Sequence, residues 1–348
     1  MLKTFNIGKQ KINNGKTFVV AEISANHNSK ISTAKKLIFE AKKAGADAVK
    51  IQSYTPESIT INCKKKDFVI KDKNWGKFKN LYNLYNFGQT PIEWHKKLFD
   101  YAKKINIDIF SSPFDENFVD ILEELNCVAY KIASPEINHF PLLKKVAKTG
   151  KPVIISTGVA FIKDIDNAIK ILRKNGCKKI IILKCDTNYP SSFQNSNFSS
   201  IKYLKKKYKL PIGFSDHTIG NEAPLISVMF GSCLIEKHFN IDNNKALDSF
   251  FSTSSKNFKK LIKDIRFLEV QSKILRYQLS KQSIKNRKIM RSIYISKNVK
   301  KNQIITNENI KIVRPSFGMN TKNYNKVLGR SFRGSYKKGD RLTSQKIK

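Results

Sequence analysis

Acidic residues are scarce in this chain: 27 Asp and Glu stand against 66 Lys and Arg in 348 residues. Histidine and cysteine are scarcer, at five each. Cys63, Cys127, Cys177, Cys185 and Cys233 are odd in number and include no C-x-x-C pair. This disfavours a disulfide framework or a zinc ribbon and suits the reduced thiols of a cytoplasmic protein. No run of 18 apolar residues occurs, so neither a transmembrane helix nor a membrane partner is expected. The opening MLKTFNIGKQKINNGKTFVVAEIS has scattered basic residues and no apolar stretch after Met1, which does not fit a secretory signal.

The shortage of acid leaves a formal net charge of +39. Such a balance ordinarily directs attention to nucleic acid or to an anionic membrane surface. Here the excess is mostly Lys, dispersed along the whole chain among abundant Asn. There is no Arg-rich arm, zinc finger or aromatic platform interleaved with basic residues. The pattern reads as compositional drift on solvent-facing helix positions, without a nucleic-acid partner. An anionic small molecule would still gain electrostatic steering.

What is present is repetition. β-rich runs occur at Phe18–Ser24, Ala48–Tyr54, Asp108–Phe114, Ala129–Glu136, Pro152–Gly158, Lys179–Thr187, Pro211–Thr218 and Cys233–Phe239. Segments such as STAKKLIFEAKKAG and DNAIKILRKNG separate them, apolar at i, i+3 and i+4 and ending in Gly or Asn. The runs are continuously apolar, as buried parallel strands are. Eight such units predict a (β/α)8 TIM barrel over residues 1–275, its last helix near Ser255–Leu275. A basic linker is expected over 276–289, then a small, mostly β domain over 290–348. The connection from Thr55 to Thr90 is long enough to suggest function.

Residues at the C-terminal ends of barrel strands face the catalytic mouth. His217 ends the seventh run and His238 the eighth, on strands about 4.8 Å apart, so they can share one metal ion. Glu22 and Asp248 are expected to close the ring, a donor set suited to Mn²⁺, Fe²⁺ or Zn²⁺ as a Lewis acid. Lys50 and Lys131, costly to bury without an anion, suggest phosphate and carboxylate groups on the substrate. Lys184 reads as packing. The hydroxyls Ser112, Ser134, Ser156, Thr157, Thr187 and Ser215 add donors at the same level. Ser156, Thr157 and Gly158 are expected to open onto a helix N-terminus, an anion site. Glu136 is the candidate for acid/base work.

The segments AEISANHNS, GADAVKIQSYTPESIT, FSSPFD, YKIASPE, IISTG, FSDHT and IEKHF, in this order, resemble the sialic acid synthase family over nearly the whole chain. The C-terminal part, with VRPSFGM, is similar to its antifreeze-like (SAF) domain. LYNLYNFGQTPIEWH, SANHN, RSIYISKNVKKNQ and RPSFG are most similar to the branch that uses a 2,4-diacetamido-2,4,6-trideoxy-altrose; other branches use manno-configured N-acetyl sugars. The resemblance implies condensation of phosphoenolpyruvate with an N-acetylated amino sugar, with C–O cleavage and phosphate release. It implies a divalent metal, Mn²⁺ first and Mg²⁺ or Co²⁺ next, on His217 and His238. Phosphoenolpyruvate would lie against Lys50, Ser112, Lys131, Ser134, Ser156, Thr187 and Ser215. Glu22 and Asp248 would lie at the metal and sugar end, Tyr189 and Glu136 at the reacting centre, and Asn26 against substrate. Arg314 matches the Arg that crosses into a partner's barrel to hold an N-acetyl carbonyl, which implies a domain-swapped homodimer.

Overall fold

The computed structural model describes residues 4–71, 74–271 and 277–348. The chain forms two compact units, residues 1–273 and 274–348. No described helix is long and apolar enough to cross a membrane.

The first unit opens with a hairpin, β1 (Phe5–Ile7) and β2 (Gln10–Ile12), that the sequence reading does not anticipate. Ile7 and Ile12 are buried, and the Lys9 backbone N–H donates to Asp108 Oδ2 at 2.8 Å. The hairpin therefore packs at the N-terminal end of the barrel, where Asp108 begins its strand.

The barrel strands are β3 (Phe18–Glu22), β4 (Ala48–Ser53), β5 (Asp108–Pro113), β6 (Tyr130–Ile132), β7 (Val153–Ser156), β8 (Ile180–Cys185), β9 (Ile212–Asp216) and β10 (Leu234–Asn240). Seven lie within the expected runs, and β10 extends one residue beyond its run, to Asn240. Each pairs in parallel with the next, and β10 pairs with both β9 and β3, which closes the barrel. A two-residue strand, β11 (Thr253–Ser254), adds to β10. Ile180 to Leu183 are all essentially buried. Each such side chain contributes about 1.5–3 kcal/mol when removed from water, an upper bound against a compact unfolded chain. Gly213 lets β9 approach its neighbours: a Cβ there would lie 2.5 Å from the Leu234 carbonyl oxygen and 2.6 Å from Leu183 Cδ2. The expected last helix is present as Ser255–Gln271; its proposed end at Leu275 and the first linker residue, 276, lie outside the described residues.

The second unit has its own core of Ile293, Ile295, Val299, Ile305, Ile310, Val327, Phe332, Leu342 and Ile347. Strands β12 (Ser292–Ile295) and β13 (Ile310–Val313) pair antiparallel, and isolated antiparallel bridges join the rest.

Candidate active site

Alternation along β9 and β10 builds the centre of the mouth. On one side, Lys237 Nζ is ion-paired with Asp216 and donates to the Thr218 carbonyl at 2.7 Å. Asp216 Oδ1 also accepts from the Thr218 N–H and Oγ1, at 2.9 and 2.8 Å. These contacts lock the two strands in register. Ser215, His217, Glu236 and His238 then face the interior, because side chains alternate along a strand.

The rings of His217 and His238 have centroids 5.3 Å apart, and both are buried. His217 Nδ1 lies 2.5 Å from the Asp186 carbonyl oxygen. A carbonyl only accepts, so Nδ1 carries a proton, and when the ring is neutral the lone pair lies on Nε2. Burial alone would lower the His217 pKa; the Cys185 thiol and the Asp186 carbonyl outweigh it and hold it raised. His238 is held well below the usual range by burial, with His217 and Lys50 adding to the effect. It is a neutral imidazole whose buried Nδ1 has no hydrogen-bond partner. Two imidazoles, one with an orphaned nitrogen, fit a divalent metal with open positions. The expected carboxylate ring is not formed: among the described residues no three His, Cys, Asp or Glu are grouped to hold a metal ion. Glu22 is taken by Lys50, its Oε2 2.5 Å from Nζ, while its Oε1 accepts from the Ser24 N–H at 2.7 Å. Asp248 Oδ2 accepts from the Ala25 N–H at 3.2 Å.

The two lysines do converge. Lys50 Nζ lies 3.4 Å and Lys131 Nζ 3.2 Å from Glu236 Oε1, which also accepts from Ser215 Oγ at 3.2 Å. Lys50 donates to Ser112 Oγ at 3.2 Å. Burial would raise the Glu236 pKa, but Lys131 and Lys50 overcome it and hold the carboxyl down at about 2. Burial likewise opposes the charge on Lys50, yet Glu22 and Glu236 hold its pKa raised. For Lys131 burial wins, and its pKa is lowered. Glu236 is the residue that sequence reading missed. The signal lay in IEKHF, where it stands two residues before His238 on the same strand face.

Ser134 Oγ, after β6, accepts from the Gly158 N–H at 2.9 Å, while Ser156 Oγ, at the end of β7, is buried without a partner. A Cβ on Gly158 would meet Thr187 Cγ2 at 2.5 Å and Ser134 Oγ at 3.0 Å, so this corner admits only glycine. The following helix begins at Ile162, four residues later, so Gly158 itself does not open it as expected. Lys184 sits 5.8 Å over the Phe214 ring, as packing. Asn26 spends its Nδ2 on the Phe239 carbonyl and Ser252 Oγ, at 3.0 and 2.9 Å, leaving Oδ1 buried and unpaired. Arg314 is exposed in the second unit, after β13.

Burial raises two carboxyls in the mouth, Asp248 to about 6 and Glu136 to about 7. For Glu136, Lys131 and Lys50 pull the other way without prevailing. Its folded value exceeds the usual 4.5, so the stability that its neutral form contributes is complete below 4.5 and is lost as pH rises through about 7. Glu136→Gln is therefore expected to match the wild type near pH 4 and to exceed it by roughly 3 kcal/mol near pH 8. Urea midpoints at the two pH values test this; equal gains at both would contradict it.

A closed barrel carrying paired imidazoles and two buried ammoniums at its mouth defines an enzyme for anionic small molecules. The NeuB family matches residues 37–274, and the chain belongs to that family. It is similar to the pseudaminic acid synthase of Campylobacter jejuni, 41% identical over 94% of this chain and 95% of that one. The pseudaminic acid synthase of Helicobacter pylori is 39% identical over 89% and 92%. Among solved structures, an N-acetylneuraminic acid synthetase from Leptospira borgpetersenii superposes with a TM-score of 0.71 at 30% identity, covering 82% of this chain and 95% of that one.

Proposed function

We propose that the chain is a transferase that makes pseudaminic acid, condensing phosphoenolpyruvate with 2,4-diacetamido-2,4,6-trideoxy-altrose. The observation that carries the reading is the mouth itself, two buried ammoniums beside two imidazoles, in a chain 41% identical to a pseudaminic acid synthase. Lys50 and Lys131 hold the anionic groups of phosphoenolpyruvate, with Ser112, Ser156 and the Ser134–Gly158 corner supplying neutral donors. A divalent metal, Mn²⁺ in our reading, would be held by His217 and His238 and would supply Lewis acidity toward the sugar's carbonyl oxygen. C3 of phosphoenolpyruvate attacks the aldehyde carbon, whose oxygen takes up a proton. Water adds to the resulting cation at C2 and gives up a proton, and the tetrahedral intermediate expels phosphate by C–O cleavage. Glu136, its carboxyl raised by burial to about 7, is our candidate to carry one of these protons.

We read residues 290–348 as an SAF domain that crosses to a second subunit, with 276–289 as the linker, making a domain-swapped homodimer in which Arg314 contacts the neighbour's sugar. In support, the second unit has a separate core, and Val159, Phe161, Phe193, Ile219 and Phe250 leave apolar surface exposed on the mouth's connections. A monomer in sedimentation at micromolar concentration would remove this part of the reading. The five unpaired thiols suit the cytosol.

Phosphate release tests the whole. With Mn²⁺ and phosphoenolpyruvate, the altrose should turn over at least tenfold faster than N-acetylmannosamine or the matching trideoxymannose, and EDTA should abolish the reaction until metal is restored. A manno preference would move the sugar and keep the reaction. No release with any of the three would refute the synthase reading.

A further inference from the structure

Three connections of the mouth bring an aromatic wall up to the histidines. Tyr189, after β8, has its ring centroid 4.3 Å from that of His217. Phe251, after β10, lies 4.7 Å from His238 and 4.9 Å from Phe250. Trp75 comes from the long connection after β4 and meets Tyr189 and Phe250 edge-on, each at 5.9 Å. Its neighbour Asn74 fixes the contact by donating Nδ2 to the Tyr189 carbonyl at 3.2 Å. Yet the Trp75 indole Nε1 is buried and has no acceptor among the described residues. An indole nitrogen only donates, and a buried donor without an acceptor is costly. In the wall of a substrate site, the missing acceptor is supplied by the ligand.

We propose that Trp75 is a specificity-determining residue for the sugar. Its indole N–H donates to an acetamido carbonyl oxygen, and the rings of Trp75 and Phe250 cover the methyl group beside it. The assignment rests on the reading above that the acceptor is an N-acetylated sugar. An amide carbonyl is an acceptor only and carries an apolar methyl, which matches one donor set among aromatic faces. A hydroxyl in its place could take the indole N–H but would bring no methyl for the faces of Trp75 and Phe250 to cover. Phosphoenolpyruvate is served by the lysines and does not need this wall.

The chain has only two tryptophans, Trp75 and Trp94, and Trp94 packs against His27, 5.5 Å between centroids. Trp94→Phe therefore leaves Trp75 as the sole indole reporter. Its emission should change on titration with the diacetamido altrose. In calorimetry, Trp75→Phe, which keeps a ring and loses the N–H, should bind that sugar about tenfold more weakly, with phosphoenolpyruvate affinity changed less than twofold. If N-acetylmannosamine or the trideoxymannose produces both effects instead, Trp75 keeps its role and the altrose reading falls. If no sugar alters the emission, or Trp75→Phe binds sugar as tightly as wild type, or loses phosphoenolpyruvate equally, the inference is overturned.

Discussion

Lys131→Met is expected to lower kcat/KM for phosphoenolpyruvate about a thousandfold. The reason is the arrangement around Glu236, where one carboxylate oxygen serves Lys131, Lys50 and Ser215 together. Removing one member of a buried ion cluster leaves another uncompensated and costs about 3–5 kcal/mol. On the proposed reading it also deletes a cation that faces the substrate. The two consequences can be separated. Lys131→Met should lower the urea midpoint, and Glu236→Gln in the same chain should restore much of it by discharging the stranded carboxylate. Activity should stay low in the double variant, because the ammonium is still missing. Recovered activity with the cluster neutralised would mean that Lys131 is there for the protein and not for the substrate.

Replacing His217 or His238 by Ala should reduce phosphate release by more than about a thousandfold, because a Lewis acid supplies several kcal/mol of transition-state stabilisation. Neither imidazole anchors the fold through a dense network: His238 Nδ1 has no partner, and His217 uses Nδ1 on the Asp186 carbonyl. Thermal stability should therefore change far less than activity. The readout independent of turnover is Mn²⁺ binding followed by electron paramagnetic resonance, which either substitution should weaken by at least tenfold. Unchanged Mn²⁺ affinity in both variants would remove the histidines from any metal site.

Much of this centre was legible in the sequence, for physical reasons. Strands buried on both faces must be continuously apolar, so all eight barrel strands stand out, and the residues closing those runs necessarily reach the mouth. His217, His238, Lys50 and Lys131 were found that way. The β1–β2 hairpin was not, because three-residue strands carry too little pattern to read. Glu236 was hidden inside an apolar strand beside Lys237, whose partner Asp216 lies on the opposite face. Only the register distinguishes the inward charge from the outward one. The carboxylate ring failed because height on the barrel does not decide partners. Glu22 stands opposite Lys50 in the β3–β4 register, and the nearer ammonium captures it. Trp75 lay in a connection with no period, where sequence gives no position at all.

The seam between β10 and β3 has a consequence for how the chain comes to be active. Leu234 pairs with Phe18, 216 residues earlier in the chain. Loop entropy grows only logarithmically with such a span, so the seam is not prohibitive in equilibrium terms. It is slow, because pairings this remote must form before they are rewarded. His238 and Glu236 lie on that last strand. A nascent chain that has not yet emerged past Leu234 has both lysines and neither their shared counter-ion nor the second imidazole. The polar centre of the mouth is therefore completed in one step, when the two ends of the barrel find each other, and refolding followed by turnover would time that closure.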